Sequence, residues 1–438
     1  DPVRCSTPFL HEFVAGQDAI VTKTLSSTSL SPVRIQGKLL QNTNVSADAG
    51  PYQFVPYGFK VTDENRVDGN KGQVASRPFS VKVSAVASNA ANPRQCQTIE
   101  DYTGTQSLNM SYELIAPSII NNNNSLIVHN TAIPRGSDPL AGETIPNIQF
   151  YKGVLDSVYS SAGQFKLHVA DAKWQPSQVS MPSWSGLAGS ATINSRPFAL
   201  SICHAPQGGS FQLFPSGTAS GGDKFTGSGN FVDSRLRALR WYSSADINND
   251  GVPDSGYMDP LLCFEDSVTG FEVSADVHFD LHTPSSGHKG ILEMANQISN
   301  SSNGYLPISV NFNEWGLSDQ SFRWSEVGSI QMWVEKNNYL NGMSVPFVKH
   351  PIGRFYPSHF SLEKAEFTYP TGQNNFVYMN QPFEEVEFEV KALSAMTEGN
   401  TPLSTLNYGE HYNQQLKASF SLKGDYADRL SVKDSDLG

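Results

Sequence analysis

The chain spells one two-part phrase three times, and that repetition restricts the folds open to it. The first part is aromatic-x-Pro-x-x-apolar: FVPYGF at 54–59, WQPSQV at 174–179 and FYPSHF at 355–360. The second is x-Pro-Phe followed by alternating apolar residues: SRPFSVKVSAV at 76–86, SRPFALSIC at 195–203 and NQPFEEVEFEV at 380–390. A closing element follows in two copies, YSSAGQFKLHV at 159–169 and WSEVGSIQMWV at 324–334. The order is kept while the spacing varies, which describes tandem domains rather than a tight solenoid.

Each part reads as a strand. Proline suits the first residue of a strand, where its missing N–H breaks no ladder bond. Phe79, Val81 and Val83 point one way and Ser80 and Lys82 the other. In the third copy Val386, Phe388 and Val390 are expected toward a core, with Glu385, Glu387 and Glu389 toward water. The closing units alternate as well, through Phe165, Leu167 and Val169 and through Ile330, Met332 and Val334. Gly163 and Gly328 stand just before them, as a tight turn entering a strand requires.

The fold class is therefore all-β: tandem immunoglobulin-like antiparallel β-sandwich domains, one with an inserted lobe. Residues 1–50 form a β-rich or irregular lead-in, 51–172 a first domain, 173–350 a second and 351–438 a third. Copy two is the longer from proline to closing glycine (176–328 against 56–163), which places a lobe at about 204–320. Copy three reaches no closing unit before Gly438, so its sandwich lacks a strand. Either the chain is a fragment, as its abrupt start at Asp1 also suggests, or another segment completes the sheet. Residues 121–124 and 216–229 read as loops, and 287–299 is the best short helix candidate.

Composition narrows function. A net charge of −12 without a Lys/Arg cluster excludes general nucleic-acid binding and disfavours anionic lipid. No apolar run reaches the length of a membrane span. The four cysteines, Cys5, Cys96, Cys203 and Cys263, contain no C-x-x-C pair, so two disulfides in an oxidising compartment are expected rather than a thiolate metal site. Three pairings are open; Cys5–Cys96 with Cys203–Cys263 is favoured because each bridge then stays within one repeat region.

The sharpest local motif is DINNDGVPD at 246–254. Asp246, Asn248, Asp250 and Asp254 supply oxygens, Val252 a carbonyl and Gly251 a turn, which is half of an oxygen-rich Ca²⁺ loop. The twelfth position, where an EF-hand carries a bidentate carboxylate, is Tyr257, so Asp259, Glu265 or Asp266 would have to complete the set. An Asx-rich surface turn is the competing reading.

Residues 271–282, FEVSADVHFDLH, alternate without a break. Asp276, His278, Asp280 and His282 share one face, alternate side chains standing about 7 Å apart. Such a row can bind a ligand or serve acid–base chemistry, although a solvated strand face explains it more simply. The Glu385/Glu387/Glu389 row resembles edge protection more than a glycosidase pair. G-x-S-x-G, H-E-x-x-H and P-loop patterns are absent. Among the tryptophans, Trp174 and Trp324 hold repeat positions and are expected in cores, whereas Trp184 and Trp241 are the candidates for an exposed sugar platform.

GRFYPSHF at 353–360, FVYMNQPF at 376–383 and LNYG at 406–409 resemble the large C-terminal domain of the MshQ family, biogenesis proteins of the mannose-sensitive haemagglutinin (MSHA) type IV pilus. WSEVGSIQMWVEKNNYL at 324–340 and CQTIEDYTG at 96–104 fit the same pattern. The resemblance implies an extracellular protein at the surface of a Gram-negative bacterium, associated with a fimbrium and positioned at its tip. It transfers no catalytic residue.

The combined expectation is a non-enzymatic adhesin or tip protein binding a surface ligand, glycan in character, through a calcium-stabilised lobe. The ligand-binding candidates are Trp184, Trp241, His278, Asp280 and His282. The alternatives are a scaffold that binds other pilus subunits and a glycoside hydrolase.

Overall fold

The computed structural model describes residues 33–39, 42–52, 58–88, 95–99, 102–118, 126–150, 153–171, 173–174, 187–206, 212–217, 224–254, 263–264 and 266–412. A hairpin comes first, β1 (Val33–Leu39) and β2 (Asn42–Tyr52). The next unit contains β3 (Gly58–Glu64), β4 (Gln73–Val74), β5 (Phe79–Ser88), β6 (Cys96–Thr98), β7 (Thr105–Ala116), β8 (Leu126–Val128), β9 (Thr131–Ala132), β10 (Glu143–Gln149), β11 (Val154–Tyr159), β12 (Gly163–Asp171) and β13 (Leu187–Arg196). These form two sheets, β3-β5-β11-β8-β9 with β6 beside β5, and β10-β7-β12-β13-β4. Phe59, Val81 and Val83 from the first sheet meet Met110, Tyr112, Leu167 and Ile193 from the second in one buried cluster. Burying each such side chain contributes about 1.5–3 kcal/mol.

The second unit contains β14 (Ala199–His204), β15 (Thr226–Gly227), β16 (Val232–Leu239), β17 (Ser274–Thr283), β18 (Leu292–Met294), β19 (Gln297–Ser299), β20 (Ile308–Asn311), β21 (Leu317–Trp324), β22 (Gly328–Tyr339), β23 (Met343–Val345) and β24 (His350–Tyr356). Its sheets are β14-β16-β21-β18-β19 and β15-β24-β22-β17-β20, with β23 beside β22. A third sheet, β25 (His359–Thr368), β26 (Glu385–Glu398) and β27 (Thr401–Ser404), follows. No helix among the described residues is long and apolar enough to cross a membrane.

The two sandwiches share one plan. The first strand of each changes sheets: β3 lies beside β5 while β4 runs parallel to β13, and β14 lies beside β16 while β15 runs parallel to β24. The closing motifs become the turns that enter β12 and β22, where Gly163 and Gly328 have φ of 133° and 110°. A Cβ at position 163 would stand 2.5 Å from the carbonyl oxygen of Ala116, so only glycine fits there. Trp324 is fully buried, and its indole N–H donates to the Lys289 carbonyl at 2.8 Å.

Several sequence expectations are corrected. The first sandwich runs to Arg196 rather than to 172, because β13 pairs with β12 along its whole length, Asp171 opposite Leu187 and Gly163 opposite Ser195. The second ends at Tyr356 rather than 350, so GRFYP closes a sandwich instead of opening one. Pro197-Phe198 and Pro357-Ser358 are two-residue links between a last strand and the next first strand. SRPF at 195–198 is thus a link before a first strand, whereas SRPF at 76–79 precedes a second strand. The expected inserted lobe at about 204–320 is not separate: β16 to β21 belong to the sandwich, and its longer connections are 205–231 and 240–273, against 65–78 and 89–104 in the first unit. Residues 287–299 form β18 and β19 at their end and no helix. Val386, Phe388 and Val390 are 41%, 47% and 45% exposed rather than buried, while Phe367 packs against Phe388 on the same face. The Glu385/Glu387/Glu389 row is exposed, with Lys364 paired to Glu387 at 2.7 Å.

The units meet through recurring contacts. Ile99 N donates to Ala85 O, Val268 N to Ala238 O and Thr405 N to Ala392 O, which sets the three units in common register. In that register Trp241 N donates to Ala75 O at 2.9 Å across the first joint, and Ala395 N to Ser228 O at 2.9 Å across the second.

Candidate binding face

The alternation of 271–282 places β17 inside one sheet of the second sandwich, between β22 and β20, with Ala275, Val277 and Phe279 in the core. Its opposite residues form an open face. The register puts Asp276 opposite Glu335, His278 opposite Trp333 and Asp280 opposite Gln331 on β22. The His278 and Trp333 rings lie parallel within 8°, centroids 5.4 Å apart. Phe347 continues the row, 6.1 Å from Trp333 at 27°. Lys349 Nζ lies 4.3 Å from the Trp333 ring centroid, a cation held by the ring's negative face.

Polar partners fix this row. His278 Nε2 is 3.2 Å from Glu335 Oε2. Gln331 Nε2 lies 3.2 Å from His282 Nδ1. Lys289 Nζ approaches Asp280 Oδ1 at 3.6 Å while resting over the Phe279 and Tyr305 rings, 4.7 Å from each centroid. Asp276 and Asp280 are exposed; His278, His282, Gln331, Trp333 and Glu335 are half-buried. The face thus offers acceptor-only carboxylates, imidazoles and an amide around a fixed indole. The structure brings His278, Asp280 and His282 together as expected. Trp333, Phe347 and Lys349 join them through cross-strand register and a loop, which a single strand's alternation does not disclose.

The acidic loop is organised differently. Trp241 is half-buried, and its indole N–H donates to Asp246 Oδ2 at 2.6 Å. Asp246 Oδ1 accepts from Asp250 N at 2.9 Å and Oδ2 from Gly251 N at 2.9 Å. Asp250 Oδ1 accepts from Val252 N, Asn248 Oδ1 from Asp250 N and Asp254 Oδ2 from Ile247 N. Trp241 therefore holds the loop rather than presenting a platform. Asp259, Glu265 and Trp184 lie outside the described residues, and among those described no group of three or more His, Cys, Asp or Glu side chains gathers as a metal site.

The loop also reaches the first sandwich. Arg77 donates to Asn249 O at 2.6 Å and to Asn249 Oδ1 at 3.0 Å, and Arg196 donates to Gly251 O at 3.0 Å. Burial lowers the Arg77 pKa, an effect that neighbouring Asp246 opposes. Cys203 and Cys263 are joined by a disulfide, S–S 2.08 Å, tying β14 to the connection that carries the loop. Cys96 is also disulfide-bonded, and Cys5 lies outside the described residues.

No curated protein matches the chain. Solved structures similar to it include the Yersinia pseudotuberculosis adhesin InvE (10% identity, TM-score 0.26, 68% of this chain and 58% of that one). The Escherichia coli adhesin FdeC gives 12% identity and a TM-score of 0.23 over 67% of this chain and 64% of that one. The D0–D1 domain of intimin gives 7% and 0.17 over 66% and 97%. The chain thus spans 58% and 64% of the first two, and superposition at this level carries no functional argument. Family models speak more directly: over residues 40–183 the chain matches the first Ig-like domain, and over 326–437 the third domain, of one family, DUF6701.

Proposed function

We propose that this chain is the ligand-presenting part of a pilus-associated adhesin of the MshQ type on a Gram-negative cell surface, and that it binds a neutral glycan without turnover. The observation that carries this reading is the β17–β22 face. Trp333 supplies an apolar edge fixed between His278 and Phe347, while Asp276, Asp280, Glu335, Gln331 and His282 offer partners for sugar hydroxyls. Carboxylates accept hydrogen bonds only, and a polyol is rich in donors, so the chemistries complement each other. The pilus part rests on the resemblance carried by GRFYPSHF, FVYMNQPF and LNYG. Weak single contacts would be strengthened by many copies acting together. A glycan array with the wild type and Trp333→Ala tests it: loss of a reproducible neutral-glycan signal in the variant is expected, and no signal from the wild type removes this reading.

Calcium belongs to the same proposal. Asp246 Oδ1 and Asp250 Oδ1 can each accept more than the backbone N–H bond they now take, and Asp246, Asn248, Asp250, the Val252 carbonyl, Asp254 and Asp259 are the residues that would hold the ion. Melting with and without a chelator is the check, and an unchanged midpoint leaves the loop as a hydrogen-bonded turn.

A scaffold role is the second reading, favoured by the exposed apolar face of β25 and β26. Binding of minor pilins with no glycan binding would select it. Release of reducing sugar from polysaccharides would instead select the hydrolase.

A further inference from the structure

We propose that the Glu326 carboxylate is the latch that seats the third sheet on the second sandwich, so that the second joint opens at this residue while the first stays shut. At the first joint the turn before β12 offers neutral groups: Ala162 N donates to Thr269 O at 2.9 Å, and Ser161 Oγ lies 2.8 Å from Thr269 Oγ1. Glu326 occupies the place of Ser161 in the turn before β22, two residues ahead of the glycine, and the polarity is reversed. Sandwich two supplies the acceptor and the third unit the donors. Oε1 takes the N–H of Leu406 at 2.8 Å, and Oε2 takes that of Asn407 at 3.1 Å.

Asn407 completes the clasp from the other side. It is fully buried, and its Oδ1 accepts from His288 N at 2.6 Å while its Nδ2 donates to His288 O at 2.8 Å. His288 Nε2 stands 3.0 Å from Glu410 Oε1, an exposed pair at the rim. A carboxylate turned toward successive N–H groups makes charge-assisted bonds, which are stronger than neutral ones. Burial opposes that charge and pushes the Glu326 carboxyl upward, against the pull of the Leu406, Asn407 and Val327 N–H groups. The side-chain grip of the second joint is therefore concentrated in Glu326 and Asn407, and the surroundings resist the charge of the first. The first joint has an apolar cluster besides, in which Val67 and Val74 of sandwich one meet Phe198, Ala199 and Leu239 of sandwich two.

Residue-resolved amide hydrogen exchange on the full chain tests this. Glu326→Ala and Asn407→Ala are each expected to speed exchange at Leu406 and Asn407 by about tenfold or more, with the amides of β16 and β17 unchanged. Glu326→Gln keeps one acceptor oxygen and should fall between, losing protection mainly at Asn407. Ser161→Ala should leave both amides at their wild-type rates. Unchanged rates in Glu326→Ala overturn the proposal. Equal acceleration throughout β16 and β17 also overturns it, because Glu326 would then support the sandwich rather than the joint.

Discussion

The two joints are built on the same register but not from the same chemistry. At the first, Arg196 is fully buried and binds Asp68 at 2.7 Å and the carbonyls of Pro197 and Gly251 at 2.9 and 3.0 Å, beside an apolar cluster shared by both sandwiches. At the second, a carboxylate and an amide side chain grip two successive N–H groups and one loop residue. Arginine carries a planar fork of donors and so ties several carbonyls at once, whereas a carboxylate can only accept. The difference teaches that a repeated backbone contact does not imply repeated strength. The main-chain bonds Trp241–Ala75 and Ala395–Ser228 are alike, and the side chains around them set how firmly each joint holds.

The largest expected effect attacks the firmer joint. Arg196→Ala removes a fully buried guanidinium from Asp68 and from the Pro197 and Gly251 carbonyls and should cost about 3 kcal/mol. Calorimetry should then show sandwich one melting apart from sandwich two; a single unshifted transition would mean the first joint is no firmer than the second.

Acid tests the body between the joints. His350, buried in β24, has its pKa lowered to about 4 by burial. It stays neutral in the fold, while the unfolded chain takes the proton below about pH 6.5. Stability is therefore intact above 6.5 and lost as pH falls toward 4, by about 3 kcal/mol in all. His350→Leu should flatten that slope in denaturant titrations. Glu326 has the opposite sign, since a raised carboxyl contributes stability at low pH that fades as pH rises through its folded value. Mild acid should thus weaken sandwich two through His350, and the Leu406 and Asn407 exchange rates report the second joint separately.

A smaller effect is expected at Gly251, whose φ is +81° and whose added Cβ would stand 2.8 Å from Val67 Cγ1. Gly251→Ala should cost about 2 kcal/mol, felt at the first joint alone. Trp333→Ala, remote from both joints, should cost about 1 kcal/mol through the lost rings and Lys349 contact, and equilibrium unfolding should show no change in coupling.

Much of the fold was legible in the sequence because alternation and glycine act locally. The turns at Gly163 and Gly328, the β12, β17 and β22 patterns and the burial of Trp324 follow from a few adjacent residues. Unit boundaries were not legible from the phrases, because proline suits a two-residue link as well as a strand start. SRPF serves one purpose at 76–79 and the other at 195–198. The candidate face was half-visible: the row on β17 is in its own alternation, while Trp333 joins it only through register with a strand some fifty positions later. In the acidic loop the Asx bonds were readable as the simpler alternative, but its contact with Arg77, a sequence separation of 172, was not.

The brevity of the links at Pro197-Phe198 and Pro357-Ser358 has a mechanical consequence. A pull along the chain finds almost no slack to straighten, so the load passes at once into the amide–carbonyl contacts flanking each link. The units would bear tension like vertebrae rather than beads on string, each loaded against its neighbour from the first increment of pull.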